Sequence, residues 1–338
     1  MEIDSFVASH RAEWDRLEQL ATRRRRLTGA EADELVDLYQ RTATHLSMVQ
    51  SSAPDPALVS RLSSLVATGR AAVTGASGAS WSDVSHFARR SFPVAVWRAR
   101  WWWISVAAAS VLVAFAIGAW ISHNPDVVAT ISTPEDLKKL VDQDFADYYS
   151  SNPAGSFAFK VWTNNAWVAA LALVGGALLC VPGIYILWQN ALNVGVVGGL
   201  MAYSGRLDLF FGLITPHGLL ELTAVFVAGG AGIRLGWQII APGPRPRSVA
   251  LAEEGRSTLT IALGLIVVLL VSGVVEAFVT PSGLPPWARI GIGATVWIAF
   301  LAYVVVLGRR GVAEGDLGDV TDAAAVTDTL PYAGCAAP

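Results

Sequence analysis

Apolar residues recur at helical spacing in the first part of the chain and gather into long runs further on. Phe6, His10, Trp14, Leu17 and Leu20 mark one face of a first segment, with Glu and Arg between them. That is the pattern of a helix with one face in a core. Leu35, Leu38, Thr42, Leu46 and Val49 repeat it, and Thr28 with Glu31 fits a capping box that opens this second helix. After PDP at 54–56, Leu58, Leu62 and Leu65 line a third, shorter helix. Residues 1–75 therefore read as a soluble helical bundle or hairpin, and GASGAS (75–80) as a linker by composition.

Beyond residue 100 the apolar runs reach bilayer length. Spans are expected at 101–121, 166–188, 191–214, 216–240, 258–279 and 287–307, the third interrupted at Tyr203-Ser204-Gly205-Arg206. Thr215 would cap the fourth, with Pro216 in its first turn. Residues 76–100 read as the linker followed by an interfacial basic helix. In it Phe87, Phe92, Val96 and Trp97 enter the lipid boundary while Arg89, Arg90, Arg98 and Arg100 face phosphates. Trp101, Trp102 and Trp103 match an aromatic belt. The loop 122–165 is acidic, with Asp126, Glu135, Asp136, Asp142, Asp144 and Asp147 against Lys138, Lys139 and Lys160; Pro134 marks a short helix starting at Thr133. Residues 308–338 read as a small, acidic, disordered tail.

Composition agrees with this pattern. The chain is 53% hydrophobic and 15% charged, against about 25% charged in an ordinary globular domain. The fold class is an all-α polytopic membrane helix bundle of about six transmembrane helices with an N-terminal cytoplasmic helical domain. A net charge of −3 argues against a nucleic-acid partner, and two cysteines argue against a disulfide framework. The N-terminus lacks the apolar stretch of a cleavable signal. Three arginine clusters (89–100, 245–256 and 309–310) fall on one side of a six-span arrangement. The positive-inside rule makes that side cytoplasmic, with both termini there and 122–165 outside the inner membrane of a bacterium.

Polar residues within the spans are the candidate chemistry, because the bilayer penalises them. His217 and Glu221 stand four apart and share a helical face. Topology places Glu276, Asn164 and Asn165 at the same outer depth, forming one intramembrane cluster. A secondary inner set comprises Gln189, Asn190, Asn193 and Arg234. Gly195, Gly198, Gly199, Gly229 and Gly230 permit close helix packing. No nucleophile elbow, P-loop, CxxC or HExxH occurs, so no catalytic residue, metal ligand or cofactor is expected.

The stretches TNNAWVAALALVGGALLCVPGIYILWQNALNVGVVGGLMA (163–202), TPHGLLELTAVFVAGGAGIRLGW (215–237) and VVEAFVTP (274–281) resemble the stage II sporulation protein M family. The resemblance covers about 80–310, and PHGxxE with the preceding Asn pair is its most specific part. QNAL at 189–192 stands where members often carry an Asn-Gly pair. The resemblance implies a multipass subunit of a septal complex that includes cell-wall hydrolases and supports engulfment, with no intrinsic catalysis. The expected function is thus a non-enzymatic scaffold or assembly subunit of a cell-envelope complex. Its partners would be the lipid bilayer, other envelope proteins and a second copy of the chain. A small-solute, proton-linked or lipid transporter or channel using the His/Glu/Asn cluster is one alternative. An intramembrane metal-dependent hydrolase using His217, Glu221 and Glu276 is another.

Overall fold

The computed structural model describes residues 3–23, 27–52, 55–73, 81–145 and 154–319. The described residues contain no strand, and the chain divides into two compact units, Met1–Ser82 and Asp83–Pro338.

The first unit holds α1 (Ile3–Thr22), α2 (Gly29–Ser52) and α3 (Pro56–Val73). Their apolar stripes meet: Trp14, Leu17 and Leu20, Leu35, Leu38 and Val49, and Leu58, Leu62 and Leu65 form one buried core. Thr42 lies on the α2 stripe and is fully buried, so it donates its hydroxyl to the Leu38 carbonyl. The capping box closes. Thr28 N–H donates to Glu31 Oε2 at 2.8 Å and Glu31 N–H reaches Thr28 Oγ1 at 3.4 Å. The Thr28 backbone bond holds the Glu31 carboxyl below the usual carboxylate range. Trp14 Nε1 donates to His45 Nδ1 at 3.2 Å, and the His10 ring sits 4.1 Å from that of His45. Burial pushes His45 below its ordinary value, with the His10 charge adding to the effect.

The second unit starts within α4 (Trp81–His86), which passes through a π turn at Phe87–Ser91 into α5 (Phe92–Arg98). There follow α6 (Arg100–Ser122), α7 (Pro125–Ile131), α8 (Pro134–Lys139), α9 (Ala154–Ala177), α10 (Val181–Tyr203), α11 (Leu207–Ile240), α12 (Arg247–Phe278) and α13 (Pro286–Ala313). Five of these, α6 and α10 to α13, are long and apolar enough to cross a membrane. The sixth long helix, α9, has 24 residues but carries Lys160, Asn164 and Asn165 in its first half. α11 is the central helix, packed against α6, α9, α10, α12 and α13. By contrast, Val111, Leu112, Phe115 and Trp120 of α6 and Ile298 and Val306 of α13 stay exposed, forming an outer apolar surface suited to lipid.

Several expected boundaries move. The run at 166–188 is divided: α9 ends at Ala177 and α10 begins at Val181. Leu179 and Cys180, both at positive φ (56° and 70°), make the tight turn between them. Gly175 and Gly183 meet across that turn so closely that a Cβ on Gly175 would lie 2.8 Å from Gly183 N. Pro182 sits in the first turn of α10, where its missing N–H costs nothing. Thr215 is no cap, because α11 runs unbroken from Leu207 with Pro216 inside it. The break falls at Ser204–Arg206, where Gly205 takes φ 68°. Part of the expected outer loop is helical, since α7, α8 and the start of α9 lie in 122–165. Thr133 caps α8 by accepting from Asp136 N–H at 3.1 Å.

The 92–100 segment is not interfacial throughout. Phe92, Val94, Ala95 and Val96 are buried, and α5 packs against α12 and α13. The tail is ordered further than composition implies: α13 reaches Ala313 and Asp319 is buried against Arg256. Residues 320–338, the GASGAS linker, Asp147 and the Asp144 side chain lie outside the described residues.

The GVVGG face packs within the chain. A Cβ on Gly195 would lie 2.8 Å from Ala114 O, and one on Gly199 3.0 Å from Gly118 O. Helices α6 and α10 thus touch through backbone, which only small residues allow.

Two predictions follow from these contacts. Above pH ~6.5 His45 is neutral in folded and unfolded chains alike. As pH falls below that value, the unfolded chain takes up a proton that the buried site resists, so stability of the 1–82 unit falls with pH. Urea unfolding of a 1–82 fragment is expected to show a lower midpoint at pH 5.5 than at 7.5, with the difference reduced in His45→Gln. Gly195→Val forces α6 away from α10, costing about 1–3 kcal/mol, read as a lower unfolding temperature in detergent.

Candidate functional site

Four helices converge on one polar region. His217 and Glu221 lie one turn apart on α11 and share a face. Glu276 lies in the last turn of α12, and Thr280 follows four residues on. One ligand-type atom from each of His217, Glu221 and Glu276 lies within 4.8 Å of the others. His217 Nε2 is 3.9 Å from Glu276 Oε1. The ring's other nitrogen, Nδ1, is 3.2 Å from Thr280 Oγ1. Ser272 Oγ donates to the His217 carbonyl at 3.1 Å, and Arg289 Nη1 to the Thr280 carbonyl at 2.6 Å. His217, Ser272, Glu276 and Thr280 are all buried. The histidine is thereby held from both its ring and its backbone.

A cavity of about 370 Å³ between α9, α10 and α11 opens onto this cluster. Asn164 and Asn165 reach it from α9 and Asn190 and Asn193 from α10, with His217, Glu221 and Glu276 opposite. Val161, Val194, Val197 and Ile214 supply apolar wall. Phe145 stacks on Phe210 at 5.9 Å and both rings line the same space. Asn164 Nδ2 donates to Asn165 Oδ1 at 3.3 Å. Glu221 Oε2 and Glu276 Oε2 are buried with no hydrogen-bond partner among the described residues. A closed polar lock would satisfy those oxygens; this arrangement leaves acceptors facing a space.

The structure regroups the two polar sets. Asn190 and Asn193 join the outer cluster, because the turn at 178–180 places them in mid-helix instead of at a span end. Arg234 stays apart, paired with Glu254 at 2.8 Å beside a second cavity of about 190 Å³. Arg98, Arg245 and Arg256 border that second cavity, with Arg256 bonded to Asp319 at 3.0 Å. Gln189 is exposed. Of the other residues singled out, Gly198 faces the Phe210 ring, Gly229 underlies Leu187 and Gly230 meets the Trp103 backbone. Arg89 is exposed, Arg90 pairs with Glu314 at 2.8 Å and Asp316 at 2.9 Å, and Arg100 lies over the Trp97 ring at 4.6 Å. Trp101 is exposed, Trp102 lies beside Trp237, and Trp103 turns inward to donate to Val96 O at 3.2 Å.

Thr280, Ser272 and Glu254 were not singled out from the sequence. Thr280 carried a usable signal, standing one helical turn beyond Glu276. Glu254 carried a weaker one, an acid next to the expected start of an apolar span that also needed a partner for Arg234.

The family described as Stage II sporulation protein M matches residues 107–281, which include every residue of the cluster and cavity. A domain of unknown function matches residues 4–75, the three-helix unit. An uncharacterized protein of Methanocaldococcus jannaschii is 28% identical over 148 residues, covering 43% of this chain and 82% of the relative. No solved structure matches the chain.

The orphaned carboxylate oxygens make a prediction that separates a lock from a binding site. In the presence of chelator, Glu276→Gln is expected to be as stable as wild type or more so by about 1–3 kcal/mol, because a buried unpaired acid is replaced by its neutral isostere. A lower unfolding temperature in detergent would instead indicate that the carboxylate holds the bundle together.

Proposed function

Because the chain belongs to the stage II sporulation protein M family of membrane proteins, we propose that it acts as a multipass membrane protein whose cavity binds a small polar or charged solute. The observation that carries this reading is the pair of buried, unpartnered carboxylate oxygens facing a 370 Å³ space. Insertion scales put a charged residue at mid-bilayer at about 2.5–3.5 kcal/mol, a cost that binding or translocation explains and packing alone does not. Asn164 and Asn193 add support. Both are exposed at mid-helix positions, and an amide facing hydrocarbon is costly unless water or solute reaches it. With α9 crossing alongside the five apolar helices, the arginines before α6, between α11 and α12, and at the end of α13 fall on one side, which supports cytoplasmic termini and a cavity reached from the outer side.

An assembly role in a cell-envelope complex is compatible with a solute site, and its support is the family resemblance together with the acidic α7–α8 segment. A purely architectural role for the cluster has less support, since that role calls for closed hydrogen bonds.

Thiol accessibility tests the solute reading. In a background with Cys180→Ser and Cys335→Ser, Asn193→Cys is expected to react with a membrane-impermeant thiol reagent added from outside. Ala224→Cys, in the fully buried core, is the unreactive control. Failure of Asn193→Cys to react in folded protein would remove the reading.

A further inference from the structure

The cavity wall has a chemical bias that a general solute site does not need. The geometry points to His217, Glu221 and Glu276 as a binding site for one divalent first-row metal cation of the zinc–manganese class. This rests on the reading of the cavity as a binding site and names what that site takes.

The first argument is charge. Two carboxylates and a neutral imidazole carry two negative charges when ionised, and no lysine or arginine pairs with either carboxylate among the described residues. A divalent cation brings the set to zero net charge, and a neutral site is the form a low-dielectric interior tolerates. A monovalent solute would leave one charge buried.

The second argument is distance. With ligand bonds near 2.1 Å, two donors sharing an ion stand about 3.4 Å apart in a tetrahedral site and at most about 4.2 Å apart when trans. His217 Nε2 and Glu276 Oε1, at 3.9 Å, already satisfy that limit. The three donor atoms all lie within 4.8 Å of one another, and a gap of that size closes with a shift of about 1 Å, within reach of one glutamate rotamer.

The third is orientation. In the tautomer whose Nδ1–H donates to Thr280 Oγ1, 3.2 Å away, the imidazole presents its Nε2 lone pair toward Glu276. Metal-bound histidines are characteristically held in this way by a second partner that fixes the tautomer. Thr280 is itself anchored by Arg289 through its carbonyl. Thr280 and Arg289 are therefore positioning residues for the ligand.

The fourth is coordination number. Three protein donors leave positions for water or solute, and the adjoining cavity supplies room with asparagine amides at its wall. One nitrogen and two carboxylate donors suit zinc and manganese better than copper(I), which prefers sulfur.

The test uses the full-length chain without a histidine tag, purified in detergent, stripped by chelator and titrated separately with Zn²⁺ and Mn²⁺. Bound metal is counted after desalting, and unfolding temperature is followed in parallel. About one ion per chain is expected for at least one metal, with a raised unfolding temperature. Glu276→Gln and Glu221→Gln should each weaken binding more than ~10-fold, and Thr280→Val by ~10–100-fold. The His10–His45 pair of the N-terminal unit is the competing site, so His10→Ala should leave the stoichiometry unchanged. No ion bound to wild type, or an ion lost in His10→Ala and kept in Glu276→Gln, overturns the inference. Should a glutamate variant fail to fold, the metal-dependent stabilisation of wild type and its loss in Thr280→Val give the same decision. Reactive Asn193→Cys with no bound metal would defeat this inference and leave the solute reading standing; an unreactive cysteine would defeat that reading first.

Discussion

A bilayer interior offers no hydrogen bonds, so every polar group carried into it needs a partner, a wet space or a protein wall around it. This constraint orders the membrane unit. Lipid-suited side chains cover outward faces of α6, α9, α10, α12 and α13, while the helix with the most chemistry, α11, is surrounded by these five. Being central, α11 can carry His217 and Glu221 at one level and Arg234 at another without exposing any of them to hydrocarbon. Each polar level then recruits its answer from α12: Glu276 and Ser272 for the first, Glu254 for the second.

The two levels are solved differently. Arg234 and Glu254 neutralise each other at 2.8 Å, the ordinary remedy for a buried charge. At the other level His217 Nε2 stands 3.9 Å from Glu276 Oε1. Glu221 Oε2 and Glu276 Oε2 have no hydrogen-bond partner among the described residues, and a cavity stands beside them where the other level has an arginine. A fold that places an arginine–glutamate pair two helical turns of α12 into the unit could have supplied a second such pair. Among the described residues no such pair stands at the level of His217.

Glycine makes the geometry attainable. Backbone contacts between α6 and α10, and between α9 and α10 at the 178–180 turn, draw those helices tight on one side. The cavity lies where α9, α10 and α11 face one another across the asparagines.

Much of this was legible in the residues alone. Apolar runs of bilayer length gave the membrane class, the 3.6-residue stripes of α1 to α3 gave most of a buried core, with Phe6, His10 and Leu46 only partly buried, and Thr28 with Glu31 gave a helix start. All of these are local, set by neighbours along the chain. His217, Glu221 and Glu276 were also recognisable as one group, because alternating crossings fix depth even without coordinates. What sequence could not place was anything decided between helices. Pro216 reads as a helix start, yet the surrounding bundle carries α11 straight through it. The apolar letters from 166 to 188 read as one span, yet two residues at positive φ and a glycine contact fold them into a turn. That turn moved Asn190 and Asn193 into the middle of α10 and so into the cavity. The cavity itself, with its unsatisfied oxygens, belongs to no residue or segment. It exists only where four helices stop short of one another, which is a property of tertiary packing.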